Sequence, residues 1–157
     1  MNLKNIALWI GGLIGVAVVW FCWWVQPGRQ VRRAQGRLFS TVEKRNFEAM
    51  SLLMAEDYRD RWQQDKAIVL RGSREVFSQF MTLSLERADS RTERRGDTWI
   101  LQEKVTMKGL GGPLAMDARD EVNKLREPFA MTWRKRSWKP WDWELIAIDH
   151  PTLELPR

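Results

Sequence analysis

The sequence is poor in the residues on which metal sites and histidine-dependent catalysis rely. Its 157 residues include one cysteine, Cys22, and one histidine, His150. A single cysteine excludes an intramolecular disulfide. One histidine and one cysteine cannot form a zinc site of the usual composition, and any histidine relay must use His150. We therefore expect neither a metal nor a cofactor.

Net positive charge is also small in most of the chain, although the total is +6 from 26 Lys and Arg against 20 Asp and Glu. From residue 38 onward, 21 basic residues face 20 acidic ones, and the other five basic residues flank one apolar segment. This distribution argues against a basic nucleic-acid-binding domain, so no nucleic-acid partner is expected. With 44% hydrophobic residues, global disorder is excluded as well.

The apolar segment, residues 6–25, contains no charged residue. As a helix it would rise about 30 Å, the thickness of the hydrocarbon core of a bilayer. Trp20, Trp23 and Trp24 suit one interface, and Trp9 lies nearer the other. We predict a tail (1–5), a transmembrane helix (6–25), a basic juxtamembrane segment (26–37) and a folded domain (38–157).

Two other interpretations of this segment are disfavoured by its end. A cleaved signal peptide needs small residues after a shorter apolar core, whereas bulky residues follow here. A lipid-modified Cys22 needs a small residue just before it, and Phe21 stands there.

Charge around the segment predicts its orientation. Lys4 precedes it, whereas Arg29, Arg32, Arg33 and Arg37 follow it, which favours a cytoplasmic C-terminal domain. A short tail with one lysine is also common in exported, uncleaved anchors, so an extracytoplasmic domain stays open.

Gly11 and Gly15 form a GxxxG pair, which would let a second copy of the helix approach closely and form a homodimer. Glycine is common in membrane helices for other reasons, so coincidence is the alternative.

Beyond the apolar segment, spacing of three and four residues predicts two helices. The first runs from near Val31 through Val42, and the second runs from Phe47 to about residue 62. The segment 72–75 indicates a short third helix with Ser73 as its cap.

After residue 85 the pattern changes to the alternation of half-buried strands. Glycine, aspartate and proline mark turns at 96–97 and 139–140. Residues 115–125 fit either a short helix or a further strand. The predicted strands cover about 86–94, 99–108, 129–134 and 143–148.

This order of elements resembles the nuclear transport factor 2-like superfamily, which includes polyketide cyclase-like and ketosteroid isomerase-like domains. The similar segments are Leu38-Phe39, Asn46-Phe47-Glu48-Ala49-Met50 and residues 53–58 for the opening helices, Gly72-Ser73-Arg74-Glu75-Val76-Phe77 for the third helix, and residues 133–146 for the closing strands. The resemblance spans roughly 31–151. It implies an α+β fold with about three helices on a curved antiparallel sheet that forms a cone-shaped pocket. Members include enzymes, ligand binders and interaction modules, so the fold does not decide the function.

The implied pocket would be lined by the apolar face of the central strands. Glu103 is the exception on that face, and it would act as a pocket acid or pair with a buried arginine unless a bulge returns it to solvent. The predicted lining residues are Trp99, Leu101, Glu103, Met131 and Trp133.

Four side chains are candidates for acid–base catalysis. Asp57 and Tyr58 lie where the family's pocket is bordered, although an ion pair between Asp57 and Arg61 and a core role for Tyr58 are the simpler interpretations. His150 follows Asp149, which could orient its ring, but it could equally end the last strand before Pro151. The candidates are Asp57, Tyr58, Glu103 and His150.

The final hairpin combines cations with tryptophans. It could rest on anionic headgroups, or it could be a solvated tip whose indoles pack on the sheet. With the juxtamembrane cations, the predicted membrane-surface residues are Arg29, Arg32, Arg33, Arg37, Arg134, Lys135, Arg136, Trp138 and Lys139.

The sequence therefore favours a non-enzymatic domain, tethered to the lipid bilayer, that binds a partner protein or a small apolar ligand. One alternative is a small lyase, isomerase or hydrolase that uses the pocket. The other is an envelope scaffold subunit, which would require export of the domain.

Overall fold

The computed structural model describes residues 3–153, and for residues 3–11, 23 and 25 it describes only the backbone. The described chain forms five helices and one sheet of four antiparallel strands in the order β1-β2-β3-β4. This confirms the α+β class. The elements are α1 (Leu3–Val25), α2 (Pro27–Glu43), α3 (Phe47–Leu53), α4 (Lys66–Phe77), β1 (Phe80–Arg95), β2 (Thr98–Gly111), α5 (Pro113–Lys124), β3 (Phe129–Lys135) and β4 (Trp143–Asp149).

Helix α1 covers the apolar segment, and its side chains from residue 12 to residue 22 are exposed. Within the described part of the chain, no helix is both long enough and apolar enough to cross a membrane. The predicted span, the interfacial positions of Trp9 and Trp23, and the Gly11–Gly15 pair rest partly on side chains outside the described residues, and residues 1–2 of the predicted tail lie outside them entirely.

Helix α2 begins immediately after Gln26, because Pro27 at its first turn has the backbone angle that a helix needs and lacks only an N–H that would be unpaired there. Its buried residues recur every three or four positions and form one apolar stripe. That stripe packs on the sheet and consists of Val31, Ala34, Leu38, Phe39 and Val42.

The second predicted helix is shorter than expected. Asn46 caps the N-terminus of α3 by accepting a hydrogen bond from the Ala49 N–H, but the helix ends at Leu53 and not near residue 62. Beyond Leu53 the chain turns and runs beside β4, where the Ala55 and Arg59 N–H groups donate to the carbonyls of Leu145 and Ile146. This segment protects one edge of the sheet, and such pairing with distant residues overrides local helical spacing.

The third predicted helix is longer than expected. Helix α4 starts at Lys66, and its cap is Asp65, which accepts a hydrogen bond from the Ile68 N–H. Ser73 therefore lies inside the helix and is not its cap. Phe80 lies just beyond this helix and begins β1.

The sheet has an inner face, which packs against α2, and an outer face turned away from it. Leu101 and Met131 pair across β2 and β3 and point inward, as do Trp133 and Leu145 on β3 and β4. On the free edge of β1, the Glu43 carboxylate accepts a hydrogen bond from the Leu85 N–H at 2.7 Å.

Residues 115–125, which fit either a helix or a strand by sequence, lie in helix α5 as far as Lys124. This helix lies beside the part of β2 that extends beyond β3. Pairing between β2 and β3 ends at Glu103, and the Asn123 side chain then exchanges two hydrogen bonds, 2.8 and 2.9 Å long, with the Met107 backbone. Gly109, at a φ of 152°, allows β1 and β2 to approach closely here, because a Cβ at that position would collide with the Thr82 carbonyl.

Candidate functional site

The predicted pocket lining forms the packed interior of the domain. Leu101 and Trp133 are 0% exposed, and Met131 and Glu103 are 6% and 5% exposed. Trp99 is half-buried and packs against the same cluster. Side chains of α2, α3 and the 54–58 segment fill the space above the inner face, namely Val31, Leu38, Phe39, Val42, Met50, Met54 and Tyr58.

Glu103 stays on the inner face and does not return to solvent. Its carboxylate accepts a 2.6 Å hydrogen bond from Gln35 Nε2 and lies 3.9 Å from the Arg87 guanidinium. The Gln35 amide oxygen in turn accepts a 3.0 Å bond from the Trp133 indole N–H. Glu103, Gln35 and Trp133 thus form a buried polar cluster, and Arg87 closes it at the surface, where its guanidinium also lies over the Phe39 ring.

This cluster predicts the effect of replacing its central member. Gln35→Met keeps the side-chain length but leaves the Trp133 N–H without its acceptor and Glu103 without its closest donor. We expect the free energy of unfolding to fall by about 1–3 kcal/mol. Urea unfolding of the full chain in a mild non-ionic detergent, followed by tryptophan fluorescence, measures this. The matched control is Gln79→Met at an exposed glutamine, and equal stability of the two variants would contradict the prediction.

His150 holds the backbone at the end of the last strand. It is fully buried; its Nε2 lies 2.9 Å from the Glu127 carbonyl, and its Nδ1 accepts from the N–H groups of Thr152 and Leu153. These partners suit the tautomer in which Nε2 donates and Nδ1 accepts. Both ring nitrogens are therefore occupied by backbone groups, and Asp149 pairs instead with Arg61.

Asp57 is exposed and pairs across 77 residues with Arg134, not with Arg61 as the helical spacing predicts. Two hydrogen bonds of 2.8 and 3.0 Å join the carboxylate to the guanidinium. Arg134 holds the pKa of Asp57 below its usual value, and the same pairing raises the pKa of Arg134. Because the second helix ends at Leu53, Asp57 does not have the helical geometry that would place Arg61 beside it.

Tyr58 is 2% exposed and its hydroxyl makes no hydrogen bond of ordinary geometry with the described residues. Burial, and secondarily the Asp60 carboxylate, raise the pKa of the phenol, while the Ile148 backbone opposes this only weakly. Tyr58 therefore stays protonated in the core at neutral pH and cannot act there as a base.

Because Tyr58 is the only tyrosine, its titration can be followed directly by phenolate absorbance. We expect a midpoint clearly above the ordinary value of about 10 in the folded chain, and near 10 in denaturant. Its contribution to stability is complete below pH about 10 and is lost as the pH rises through the folded-state pKa. Tyr58→Phe should abolish the signal, and a folded-state midpoint near the ordinary value would refute the assigned environment.

Two of the predicted membrane-surface residues are held in ion pairs, and two others on the same hairpin are exposed. Arg134 and Arg136 are engaged with the Glu144 carboxylate at 2.6 and 3.0 Å, so both belong to an ion-pair network on the outer face. Lys139 and Trp138 are exposed, the indole by 83%.

Two further predicted membrane-surface residues lie on α2, close to the end of α1. Arg33 lies over the Trp24 ring at 4.7 Å, and Arg37 donates a 3.0 Å hydrogen bond to the Trp141 carbonyl. Gln30 donates to the Trp24 carbonyl and so links α2 to α1. A shallow cleft of about 430 Å³ lies between them. We call this region the basic tryptophan end; it comprises Trp24, Arg33, Arg37, Trp138, Lys139 and Trp141.

Among the described residues, no three or more His, Cys, Asp or Glu side chains are grouped so that they could hold a metal ion. The four candidate acids and bases also occupy separate environments. No hydrogen bond in the described chain joins any two of Asp57, Tyr58, Glu103 and His150.

No protein-family model matches the chain, and no curated protein matches it by sequence. Several solved structures nevertheless have a similar fold. A proposed aromatic ring hydroxylase from Novosphingobium aromaticivorans has a TM-score of 0.60 at 14% identity, over 79% of this chain and 87% of that chain. A proposed dehydratase of the nuclear transport factor 2-like family from Streptomyces avermitilis has a TM-score of 0.56 at 19% identity, over 77% of this chain and 91% of that chain.

The protein Bd1075 from Bdellovibrio bacteriovorus has a TM-score of 0.58 at 7% identity, over 77% of this chain. This chain spans only 38% of the length of that protein. At such low identities the likenesses show the fold alone. The chain has the nuclear transport factor 2-like fold.

Proposed function

We propose that this chain is an interaction domain tethered to a lipid bilayer, and that it binds a partner protein and does not catalyse a reaction. In this proposal helix α1 attaches the domain to the bilayer and the basic tryptophan end contacts anionic headgroups. The observation that carries the proposal is that helix α1 and the basic tryptophan end adjoin each other. Gln26 alone separates α1 from α2, and α2 carries the arginines of that end.

Exposed apolar surface on α1 supports the tether. Leu13, Val16 and Val19 are 68%, 69% and 70% exposed, and Trp20 is 62% exposed. Contiguous apolar side chains on one helix are costly in water and mark a surface that is covered by lipid or protein. The absence of charge throughout residues 6–25 favours lipid.

The basic tryptophan end supports contact with headgroups. Indoles with one apolar and one hydrogen-bonding side suit the interface of a bilayer, and cations there are attracted to anionic lipids. Trp138 and Trp141 are exposed, by 83% and 48%, on the hairpin that also bears Lys139.

Binding is favoured over catalysis because the domain interior is filled. In the described part of the chain the interior is filled by buried side chains such as Trp133, Met131 and Leu101, and it holds no cavity with convergent acids and bases. A small apolar ligand inside the cone would have to displace these side chains, so a partner protein on the surface is the better-supported occupant.

Flotation of the full chain with vesicles tests the tether. We expect binding to neutral phosphatidylcholine vesicles through α1, and Val16→Arg should weaken it, because a central arginine in an apolar helix costs about 2.5–3.5 kcal/mol on insertion. Val16→Leu is the matched control. Absence of the full-length chain from the floated vesicles would overturn the proposal.

The same assay separates the contribution of the basic tryptophan end and its flanking Lys135. Adding phosphatidylserine should increase the affinity for the vesicles. In the double variant Lys135→Gln/Lys139→Gln this increase should be smaller by a factor of more than about ten. The double variant Lys108→Gln/Lys124→Gln removes the same charge at exposed lysines paired with Glu86 and Glu121. An equal loss in both variants would reduce the effect to net charge.

We further propose that the folded domain faces the cytoplasm, since four arginines follow the apolar segment and one lysine precedes it. A reporter that functions only in the cytoplasm should be active when it is fused after Arg157. Changing Arg29, Arg32, Arg33 and Arg37 together to Gln should reduce this preference. Activity of a fused reporter that functions only outside the cytoplasm would instead support the envelope scaffold.

A further inference from the structure

A cleft on the outer face of the sheet has no role in the fold described so far. Its volume is about 760 Å³, within the range of small-molecule sites. Its floor is a row of paired residues across all four strands, since Arg91 pairs with Gln102, Gln102 with Ala130, and Ala130 with Asp149. The small Ala130 side chain leaves the middle of this row open.

A β-bulge shapes one wall of the cleft. Between Ala88 and Arg91 the β1 chain contains Asp89 and Ser90 where β2 has only Glu103, and Asp89 adopts a φ of 54°. Bulges redirect the side chains that follow them and are frequent beside functional sites. Here the bulge keeps Arg91 on the outer face while Arg87, on the other side of it, reaches Glu103 on the inner face.

Three cations around the cleft are uncommitted. The side chains of Arg91, Lys104 and Arg126 line it and make no hydrogen bond or ion pair with the described residues. Lys104 is the diagonal neighbour of Arg91 on the adjacent strand, at a spacing where like charges repel. Elsewhere on the same face the cations are paired, as Lys108 is with Glu86 at 2.6 Å.

The fourth cation of the cleft is already engaged. Arg61 donates to the His150 and Pro151 carbonyls at 2.9 and 3.1 Å and lies 3.6 Å from Asp149. It therefore fixes the far wall. The carboxylates of Asp89 and Glu127 complete the rim and could accept hydrogen bonds from hydroxyl or amine groups.

We propose that this cleft binds a small oxyanion, a phosphate or carboxylate group on a polar molecule, through Arg91, Lys104 and Arg126. The arginines supply planar donor pairs that match either group, and the lysine adds a point charge. A bound oxyanion would relieve the repulsion between Arg91 and Lys104. The site is independent of α1 and of the basic tryptophan end.

Isothermal titration of the full chain in non-ionic detergent, without lipid, tests the site. Inorganic phosphate and succinate are the two probes, and they separate phosphate from carboxylate recognition. We expect at least one to give saturable binding. Lys104→Gln and Arg126→Gln should each weaken it about tenfold, equivalent to about 1.4 kcal/mol.

Lys108→Gln is the control, because it removes the same charge four residues along the same face of β2. It should leave the affinity unchanged. The proposal is overturned if neither probe binds saturably, or if Lys108→Gln weakens binding as much as the cleft variants. Failure here with intact vesicle binding would leave the proposed tether standing, and the converse result would leave the cleft standing.

Discussion

The hydrogen bonds that join Gln35 to Glu103 and Trp133 connect the three elements on which the rest of the domain is built. Gln35 belongs to α2, Glu103 to β2 and Trp133 to β3, and all three side chains are buried. A carboxylate in an apolar interior is tolerated only when its oxygens are satisfied, so this cluster allows only a narrow range of positions for α2 on the sheet. The helix in turn covers the inner face, and the space that a pocket would need becomes core.

Because the interior is filled, the charged groups that a ligand could reach lie on the outside of the domain. The inner face is occupied by Leu101, Met131 and Trp133, whereas the outer face presents an ion-pair network at one end and uncommitted cations at the other. The solved structures with similar folds include proteins named as a dehydratase and a hydroxylase. The likeness is one of backbone arrangement, and the interior of this chain is filled by its own side chains.

The sequence was a good guide to features set by local periodicity. Helical spacing predicted the buried stripe of α2. Alternation along β2 put Glu103 on the inner face but left open a bulge that would return it to solvent, and the structure keeps it inside. The sequence was a poor guide where distant residues decide. The 54–59 segment has helical spacing but pairs with β4, and Asp57 has Arg61 nearby in sequence but binds Arg134 instead. Neither the His150 contacts with Glu127 and Thr152 nor the outer cleft has a sequence signal of its own, because each requires the register of strands that are far apart in the chain.

The two hydrogen bonds between the Asn123 side chain and the Met107 backbone affect the risk of aggregation while the protein is being synthesised. Beyond Glu103, no strand of the described chain lies on the second side of β2, and a single amide side chain satisfies the Met107 backbone there. Until α5 has folded against it, that edge is available to another chain, and an unprotected edge of this kind templates aggregation. Helix α5 follows β2 directly in the chain, so the helix that covers this edge is synthesised immediately after the edge itself.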